Sequence, residues 1–142
     1  MSFNLKKNNP VTVAEAGFEF VVELPDGTKT DAKIKVRGRN SKKVTDFIRL
    51  TISQEEMRKS ASKRRNGKDS EDMTLEQAED FSIRNAASRI ISWIGFTDGE
   101  DDEVLVFSAE AAETLMRDHL YIRSQVLEAS DEILNFRHIG VK

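Results

Sequence analysis

Residues 83–107, IRNAASRIISWIGFTDGEDDEVLVF, decide the fold. The apolar residues at their start recur at the spacing of one helical face: Ile83, Ala86, Ala87, Ile90 and Ile94. We therefore predict a helix over residues 75–93, with Trp93 in its last turn and Gly95 ending it. The acidic turn 98–103 then leads into the apolar run 104–107.

Two further helices are predicted downstream, over residues 108–119 and 122–137. Ser108 is placed to cap the first of them, because a serine oxygen can accept from a free backbone amide of the first turn. The second helix carries an apolar stripe: Ile122, Val126, Ala129, Ile133 and Phe136. We expect a break near His119–Tyr121 to separate the two helices.

Upstream, residues 17–38 alternate apolar and polar side chains, which predicts two antiparallel strands. Pro25-Asp26-Gly27 between them is typical of a type I turn with a bulge. A pair of Leu24 with Thr28 beside the turn would set these partners: Phe18 with Ile34, Phe20 with Ala32, Glu19 with Lys33 and Glu23 with Lys29. The apolar members of this register share one face of the hairpin.

The segment that follows the hairpin favours a long helix over residues 41–65. Its apolar residues are spaced as on one helix face: Val44, Phe47, Ile48 and Ile52. The β-branched run 47–52 leaves a strand open as an alternative. Thr74 and Gln77 form a capping box at the start of the 75–93 helix.

Together these segments predict an α+β protein that forms a single domain over residues 1–142. An N-terminal antiparallel hairpin or small sheet is followed by a bundle of three to four helices. Residues 1–16 are expected to be loosely ordered. Residues 66–73 and 97–103 are expected to be exposed charged loops.

The composition excludes several function classes. The chain is 38% hydrophobic and 33% charged with a net charge of −3, so no global field marks a nucleic-acid or membrane-surface protein. The absence of cysteine excludes disulfides, thiolate metal sites and cysteine nucleophiles. Nothing resembles a membrane span or a secretory signal, since no apolar run approaches about 18 residues.

A basic cluster is the first candidate site. Its cations are Arg58, Lys59, Lys63, Arg64, Arg65 and Lys68. Such a cluster could neutralise phosphates, but no aromatic residue interleaves for base stacking, and acidic residues flank it. A solvated helix end is therefore favoured over an acidic protein partner or a nucleic acid.

No residue pattern indicates catalysis or a metal. A calcium loop starting at Asp98 would require glycine where Glu103 stands. His119 and His138 lack the partners that a zinc site or a nucleophile–base pair requires. We therefore predict no catalytic residue, no metal and no cofactor.

A series of short motifs runs through the chain in a fixed order: Ser88-x-x-x-x-Trp93, Asp98-Gly99, Phe107-Ser108-x-Glu110-Ala111-Ala112-x-x-Leu115, Ile122-x-x-Gln125-Val126 and Asn135-Phe136. Upstream, the second strand ends in Val36-x-Gly38-x-Asn40-Ser41, and the polar helix contains Arg64-Arg65. In this order and spacing, residues 17–137 resemble the tail assembly chaperones of long-tailed bacteriophages. Two positions depart from that pattern: Ala111-Ala112 replaces a common Asn, and Tyr121 replaces a common Pro.

The resemblance implies a non-enzymatic protein that binds the long tape measure protein, keeps its apolar helices soluble and helps to recruit tail-tube subunits. It implies action in the cytoplasm of the infected bacterium and absence from the mature virion. A homo-oligomer is compatible with the sequence, and no membrane partner is expected. Two other classes stay open, a nucleic-acid-binding phage or regulatory protein using residues 58–68, and a structural tail or connector subunit.

A chaperone of this kind could hold a partner helix in an apolar groove. We place the groove between the Ile83–Ile94 and Ile122–Phe136 helices. Its predicted walls are Trp93, Phe96, Leu115, Met116, Ile122 and Val126. The alternative is that Trp93 and Phe96 pack inside the protein core.

Overall fold

The computed structural model describes residues 5–6, 9–66, 74–99 and 102–136, without the side chains of 62–66 and 98. The helices are α1 Pro10–Ala16, α2 Lys42–Asn66, α3 Leu75–Ser88, α4 Ala109–Asp118 and α5 Leu120–Asp131, and a short 3₁₀ helix spans Ile133–Phe136. The strands are β1 Phe18–Glu23, β2 Lys29–Val36, β3 Ile90–Ile94, β4 Thr97–Asp98 and β5 Glu103–Val104. The predicted α+β class is confirmed.

The main sheet is antiparallel and has the order β1-β2-β3. Its third strand corrects the prediction of one helix over residues 75–93, since α3 ends at Ser88 and β3 begins at Ile90. Ile90 and Ile94 fit the spacing of both a helix face and a strand, and pairing with β2 decides between them. Ile34 lies opposite Trp93 in that pairing. Gly95 therefore follows a strand and does not end a helix.

The β1–β2 hairpin has the predicted turn and a different register. Gly27 adopts φ of 90° and donates its N–H to the Leu24 carbonyl over 2.8 Å, as in a type I turn with a bulge. The strand partners are Phe18 with Val36, Glu19 with Lys35, Phe20 with Ile34 and Glu23 with Lys29. Beside the turn the prediction is confirmed, since Glu23 pairs with Lys29 and the Leu24 N–H donates to the Thr28 carbonyl over 2.8 Å, whereas the pairs farther along are shifted.

An irregularity between Val21 and Glu23 causes this shift. The Thr30 hydroxyl donates to the Val22 carbonyl over 2.7 Å, so a side chain replaces a backbone group in the ladder. The shift amounts to two residues, which leaves every apolar side chain on its predicted face. The wrong register therefore left the predicted core face unchanged.

Both ends of the described chain differ from the prediction. The expected loose segment 1–16 contains α1, which Asn9 caps by accepting the Val11 N–H over 2.9 Å. The predicted 122–137 helix instead ends at Asp131 and is followed by the 3₁₀ helix. The two ends meet, because α1 contacts the 3₁₀ helix.

Helix α2 is confirmed as a helix over the predicted segment, so the alternative of a strand at 47–52 is wrong. Ser41, fully buried, accepts the Val44 N–H over 3.4 Å at its start. Beyond Ile48 most side chains of α2 are exposed. The predicted loop 97–103 contains β4 and β5, and the loop predicted at 66–73 lies, except for Asn66, outside the described residues.

The core lies between the sheet and helices α3, α4 and α5. Its buried apolar residues are Val22, Ala32, Ile34, Val36, Ile83, Ala86, Ile90, Trp93, Ala112, Leu115, Met116, Ile122, Val126 and Ala129. The predicted break between α4 and α5 is confirmed at His119, whose φ of −130° and ψ of 87° are not helical. This break lets both helices cover the same core.

A buried polar cluster joins the ends of these elements. Arg89 donates to Ser130 Oγ over 3.3 Å and forms an ion pair with Asp131. Ser130 Oγ in turn donates to the Arg37 carbonyl over 2.7 Å. Burial lowers the pKa of the Arg37 guanidinium, and the charge of the nearby Glu15 opposes that shift. The cluster thereby ties α5 to β2 and to the α3–β3 junction.

Candidate functional site

The groove predicted between residues 83–94 and 122–136 is closed by the protein's own core. Five of its six predicted wall residues are buried: Trp93 and Leu115 at 7% exposure, Ile122 at 3%, and Met116 and Val126 at 0%. The sixth, Phe96, is half-buried. The prediction of an open groove is wrong because residues 90–94 form a sheet strand, and α4 packs across the space.

Trp93 contributes to the fold through both its ring and its N–H. The indole Nε1 donates to the Leu105 carbonyl over 2.8 Å. The ring makes edge-on contacts with Phe96 and Phe107 at centroid distances of 5.6 Å and 5.1 Å. These contacts hold the segment after β5 against the core, which agrees with the alternative of core packing for both aromatic rings.

The basic cluster lies on the C-terminal half of α2, as far as the structure describes it. Arg58 donates from Nε and Nη2 to the two carboxylate oxygens of Glu55, over 3.2 Å and 2.5 Å. This hydrogen bond raises the pKa of Arg58 and lowers that of Glu55. Lys59 is exposed. The side chains of Lys63, Arg64 and Arg65, and the whole of Lys68, lie outside the described set, so their predicted role stays a prediction.

An open groove of about 570 Å³ lies between α2 and α3. Its α2 wall consists of Phe47, Leu50, Thr51, Gln54, Glu55 and Arg58. Its α3 wall consists of Glu76, Gln77, Asp80, Phe81 and Arg84. Phe47 and Phe81 stack across it with ring centroids 5.8 Å apart and an interplanar angle of 25°.

Three apolar side chains of α2 and α3 are largely exposed, and one of them, Leu50, lines the groove. Leu50 is 58% exposed, Met57 70% and Leu75 90%. Leu50 and Met57 are seven residues apart, which places them on the same side of α2. Met57 and Leu75 are next in sequence to the lining residues Arg58 and Glu76. Exposed apolar patches on soluble proteins often mark interaction sites.

Charged residues of both signs form the edges of the groove. On the α3 side, Arg84 Nε lies 3.1 Å from Asp80 Oδ2, and Arg117 Nη2 lies 3.7 Å from Asp80 Oδ1. On the α2 side, Glu55 and Arg58 form an ion pair and both line the groove. A ligand in this groove would therefore contact an apolar strip with alternating charges beside it.

Sequence reasoning missed this groove although part of its signal was present. The helical spacing predicts Phe47 on one face of α2. The basic cluster that begins at Arg58, however, favours a solvated helix end and gives no sign of a groove. Met57 and Leu75 received no role. The groove forms only when α3 packs beside α2, and the sequence of neither helix alone predicts that contact.

No catalytic or metal-binding geometry appears in the part of the chain that the structure describes. Within it, no group of three or more histidine, cysteine, aspartate or glutamate side chains could hold a metal ion. His119 stacks edge-on against Tyr121 at 6.0 Å, and His138 is outside the described residues. None of the described helices is both long and apolar enough to cross a membrane.

Comparison with protein-family models, with curated proteins and with solved structures finds no match to this chain. The residue pattern and the geometry of the open groove are therefore the observations that bear on function.

Proposed function

We propose that this protein is a non-enzymatic tail assembly chaperone of a long-tailed bacteriophage. In this role it binds the tape measure protein in the host cytoplasm, keeps it soluble, helps to recruit tail-tube subunits and is absent from the mature virion. The order and spacing of the motifs within residues 17–137 indicate the class. The exposed apolar groove between α2 and α3 is the observation that carries the proposal.

The dimensions of the groove suit a helix as the bound element. Its α2 wall extends from Phe47 to Arg58, which corresponds to about 16 Å, or three helical turns. An amphipathic helix presents one or two apolar side chains per turn on one face, and it docks that face in grooves of this length. The tape measure protein is rich in apolar helices according to the resemblance, so it supplies the element that the groove lacks.

The charges along the groove favour an amphipathic partner over a purely apolar one. Glu55 and Arg58 on one edge face Glu76 and Arg84 on the other across the apolar floor. A helix with charged residues of both signs beside its apolar stripe can complement these edges, and complementarity chiefly sets orientation and specificity. Exposed charges also keep the complex soluble.

Co-expression of this protein with the tape measure protein, followed by pull-down and a solubility assay, tests the proposal. We expect soluble co-purification with the unchanged chain. Leu50→Asp should reduce recovery of the complex strongly, because it places a charge on the apolar floor. Leu120→Asp is the matched control, since Leu120 is similarly exposed at 62% but lies at the start of α5 and does not line the groove.

The outcomes separate the class of protein from the location of the site. A tape measure protein that stays insoluble and unbound with the unchanged chain would overturn the chaperone function. Binding that survives Leu50→Asp, with circular dichroism showing an intact helix content, would retain the chaperone and reject the α2–α3 groove. Recovery of the protein in purified virions would instead support a structural subunit.

A further inference from the structure

Strand β1 lies at the edge of the main sheet, with β2 as its neighbour among the described residues. Leu24, just after β1, donates its N–H to the Thr28 carbonyl over 2.8 Å, toward β2. The Val22 carbonyl also points toward β2, where it accepts from Thr30. Because backbone groups alternate in direction along a strand, the odd-numbered residues of β1 point away from β2.

The outward backbone of Glu23 shows that this edge can bind an added group. Gln125 Nε2 donates to the Glu23 carbonyl, and the Glu23 N–H donates to Gln125 Oε1, both over 2.8 Å. A glutamine side-chain amide carries a carbonyl oxygen and an NH₂ group side by side, so it can accept from the N–H and donate to the carbonyl of one residue. Gln125 thus makes the pair of hydrogen bonds that a neighbouring strand would make, and it occupies one end of the edge.

Val21 and Glu19 continue the edge beyond Gln125. Their N–H and carbonyl groups point outward by the same alternation, and both residues are exposed. An exposed strand edge is a template for pairing with another chain unless it is covered or blocked. Here Gln125 blocks one position and leaves two.

A groove of about 350 Å³ lies beside this edge, between β1 and α5. Phe18 and Phe20, both half-buried, form its apolar side. Glu128 of α5 and Glu132 just after it line the acidic side of this groove, and Glu23 of β1 also lines it. None of the described lining residues carries a positive charge.

We propose that the β1 edge binds an extended, lysine- or arginine-rich segment of another protein as an additional strand. The backbone of that segment pairs with Val21 and Glu19. Its basic side chains directed toward α5 pack their methylene stems on Phe18 and Phe20, and their charged ends reach Glu128 and Glu132. Hydrogen bonds of the strand supply affinity, and the acidic side of the groove selects basic residues.

This surface is separate from the groove between α2 and α3, since the two share no lining residue. A helix cannot satisfy the outward backbone groups of Val21 and Glu19, because its own amides are already paired. The proposal therefore concerns a second, extended partner segment and does not depend on the chaperone function.

Nuclear magnetic resonance titration of the full chain with synthetic peptides tests the proposal. The probe is a capped octapeptide that alternates lysine with threonine. We expect its addition to shift the amide signals of Glu19 and Val21. The same peptide N-methylated at every residue keeps the charge but has no backbone N–H to donate to the edge, and it should bind at least about tenfold more weakly. A peptide with glutamate in place of lysine should not bind.

Variants of the protein locate the site independently of the peptide. Glu128→Lys should weaken binding of the lysine peptide severalfold, whereas Glu56→Lys, the same change at an exposed position of α2, should not. Val21→Pro removes an outward N–H and no hydrogen bond of the sheet, so it should also weaken binding. Circular dichroism checks that each variant stays folded.

Three results would overturn the proposal. The first is equal affinity for the N-methylated and unmethylated peptides, which would indicate charge attraction without strand pairing. The second is an equal loss in Glu56→Lys and Glu128→Lys. The third is concentration-dependent dimerisation that shifts the same amides without peptide, which would assign the edge to a second copy of this chain.

Discussion

The two sides of this molecule treat the same kinds of side chain in opposite ways. In the unit formed by the sheet with α3, α4 and α5, Met116 is fully buried and Leu115 is 7% exposed. Along α2, Met57 is 70% exposed and Leu50 58%. Met116 and Leu115 of the first region hold the fold, whereas Met57 and Leu50 of the second stay largely exposed.

The residues that carry the family resemblance fall mainly in the packed region. Trp93 bonds to Leu105, Gln125 bonds to the backbone of β1, and Asn135 Nδ2 donates to the Ala129 carbonyl over 3.0 Å. Each contact fixes one element against another. These motif residues therefore stabilise the fold, and the partner surface of the proposed chaperone is expected among residues outside the motifs.

Met116→Ala and Met57→Ala test the difference between the two regions with identical chemistry. Met116→Ala should lower the free energy of unfolding by about 2–5 kcal/mol, because it leaves a cavity in a core that cannot fully collapse. Met57→Ala should change it by no more than about 0.5 kcal/mol, since the side chain is already in water. Urea denaturation followed by circular dichroism measures both. Similar losses for the two variants would mean that α2 is covered by a partner, such as a second copy.

Arg89→Met and Arg84→Met make the same comparison for charged residues. The Arg89 side chain is 6% exposed and bonds to Asn85, Ser130 and Asp131. Its loss should cost about 1–3 kcal/mol, because buried polar partners remain without a donor. The Arg84 side chain is 59% exposed in its pair with Asp80, so Arg84→Met should cost about 1 kcal/mol or less.

Thermal and urea unfolding of both arginine variants give the measurement. The ion pair of Arg84 should also weaken as salt is added, whereas the contribution of the buried Arg89 should change little. A larger cost for Arg84→Met than for Arg89→Met would contradict the division of the molecule into a packed and an open region.

Local patterns in the sequence were sufficient for the fold class, the hairpin and the long helix. The turn at Pro25-Asp26-Gly27 and the alternation beside it specify two strands from neighbouring residues alone. The register was beyond reach, because a shift by two residues preserves the apolar face. At the shift, the Thr30 hydroxyl donates to the Val22 carbonyl, a contact that depends on side-chain geometry and that alternation does not predict.

The misassigned helix end explains why the predicted site was wrong. Residues 83–94 carry apolar side chains at a spacing compatible with a helix throughout, and pairing of β3 with β2 more than fifty residues away changes the last part into a strand. As part of a strand, Trp93 points into the core, and the groove predicted between residues 83–94 and 122–136 is filled. The long-range pairing of β3 with β2 therefore determines that residues 90–94 form a strand and that Trp93 is a core residue.

The smallest predicted effects concern Asp26 in the hairpin turn and Glu55 on α2. Asp26 Oδ1 accepts the Thr28 N–H over 2.9 Å, and this bond lowers the pKa of Asp26 below its usual 3.8. The hydrogen bond from Arg58 lowers the pKa of Glu55 below 4.5. A carboxylate with a lowered folded pKa contributes stability above its unfolded pKa and loses it as pH falls through the folded value.

Asp26→Asn and Glu55→Gln should therefore each reduce the loss of stability that the protein shows as pH falls below about 4. The two should respond differently to salt. The bond of Asp26 is to the backbone of a fixed turn, so its contribution should persist at about 1 M salt, whereas the exposed Glu55–Arg58 pair should be screened. Urea midpoints for the protein and both variants, at low and high salt and at pH values on either side of that window, give the measurement. The opposite result would be that salt abolishes the change in urea midpoint caused by Asp26→Asn and preserves the one caused by Glu55→Gln. It would mean that the hairpin turn is less rigid than the exposed pair on α2, which contradicts the contrast between the packed and the open region.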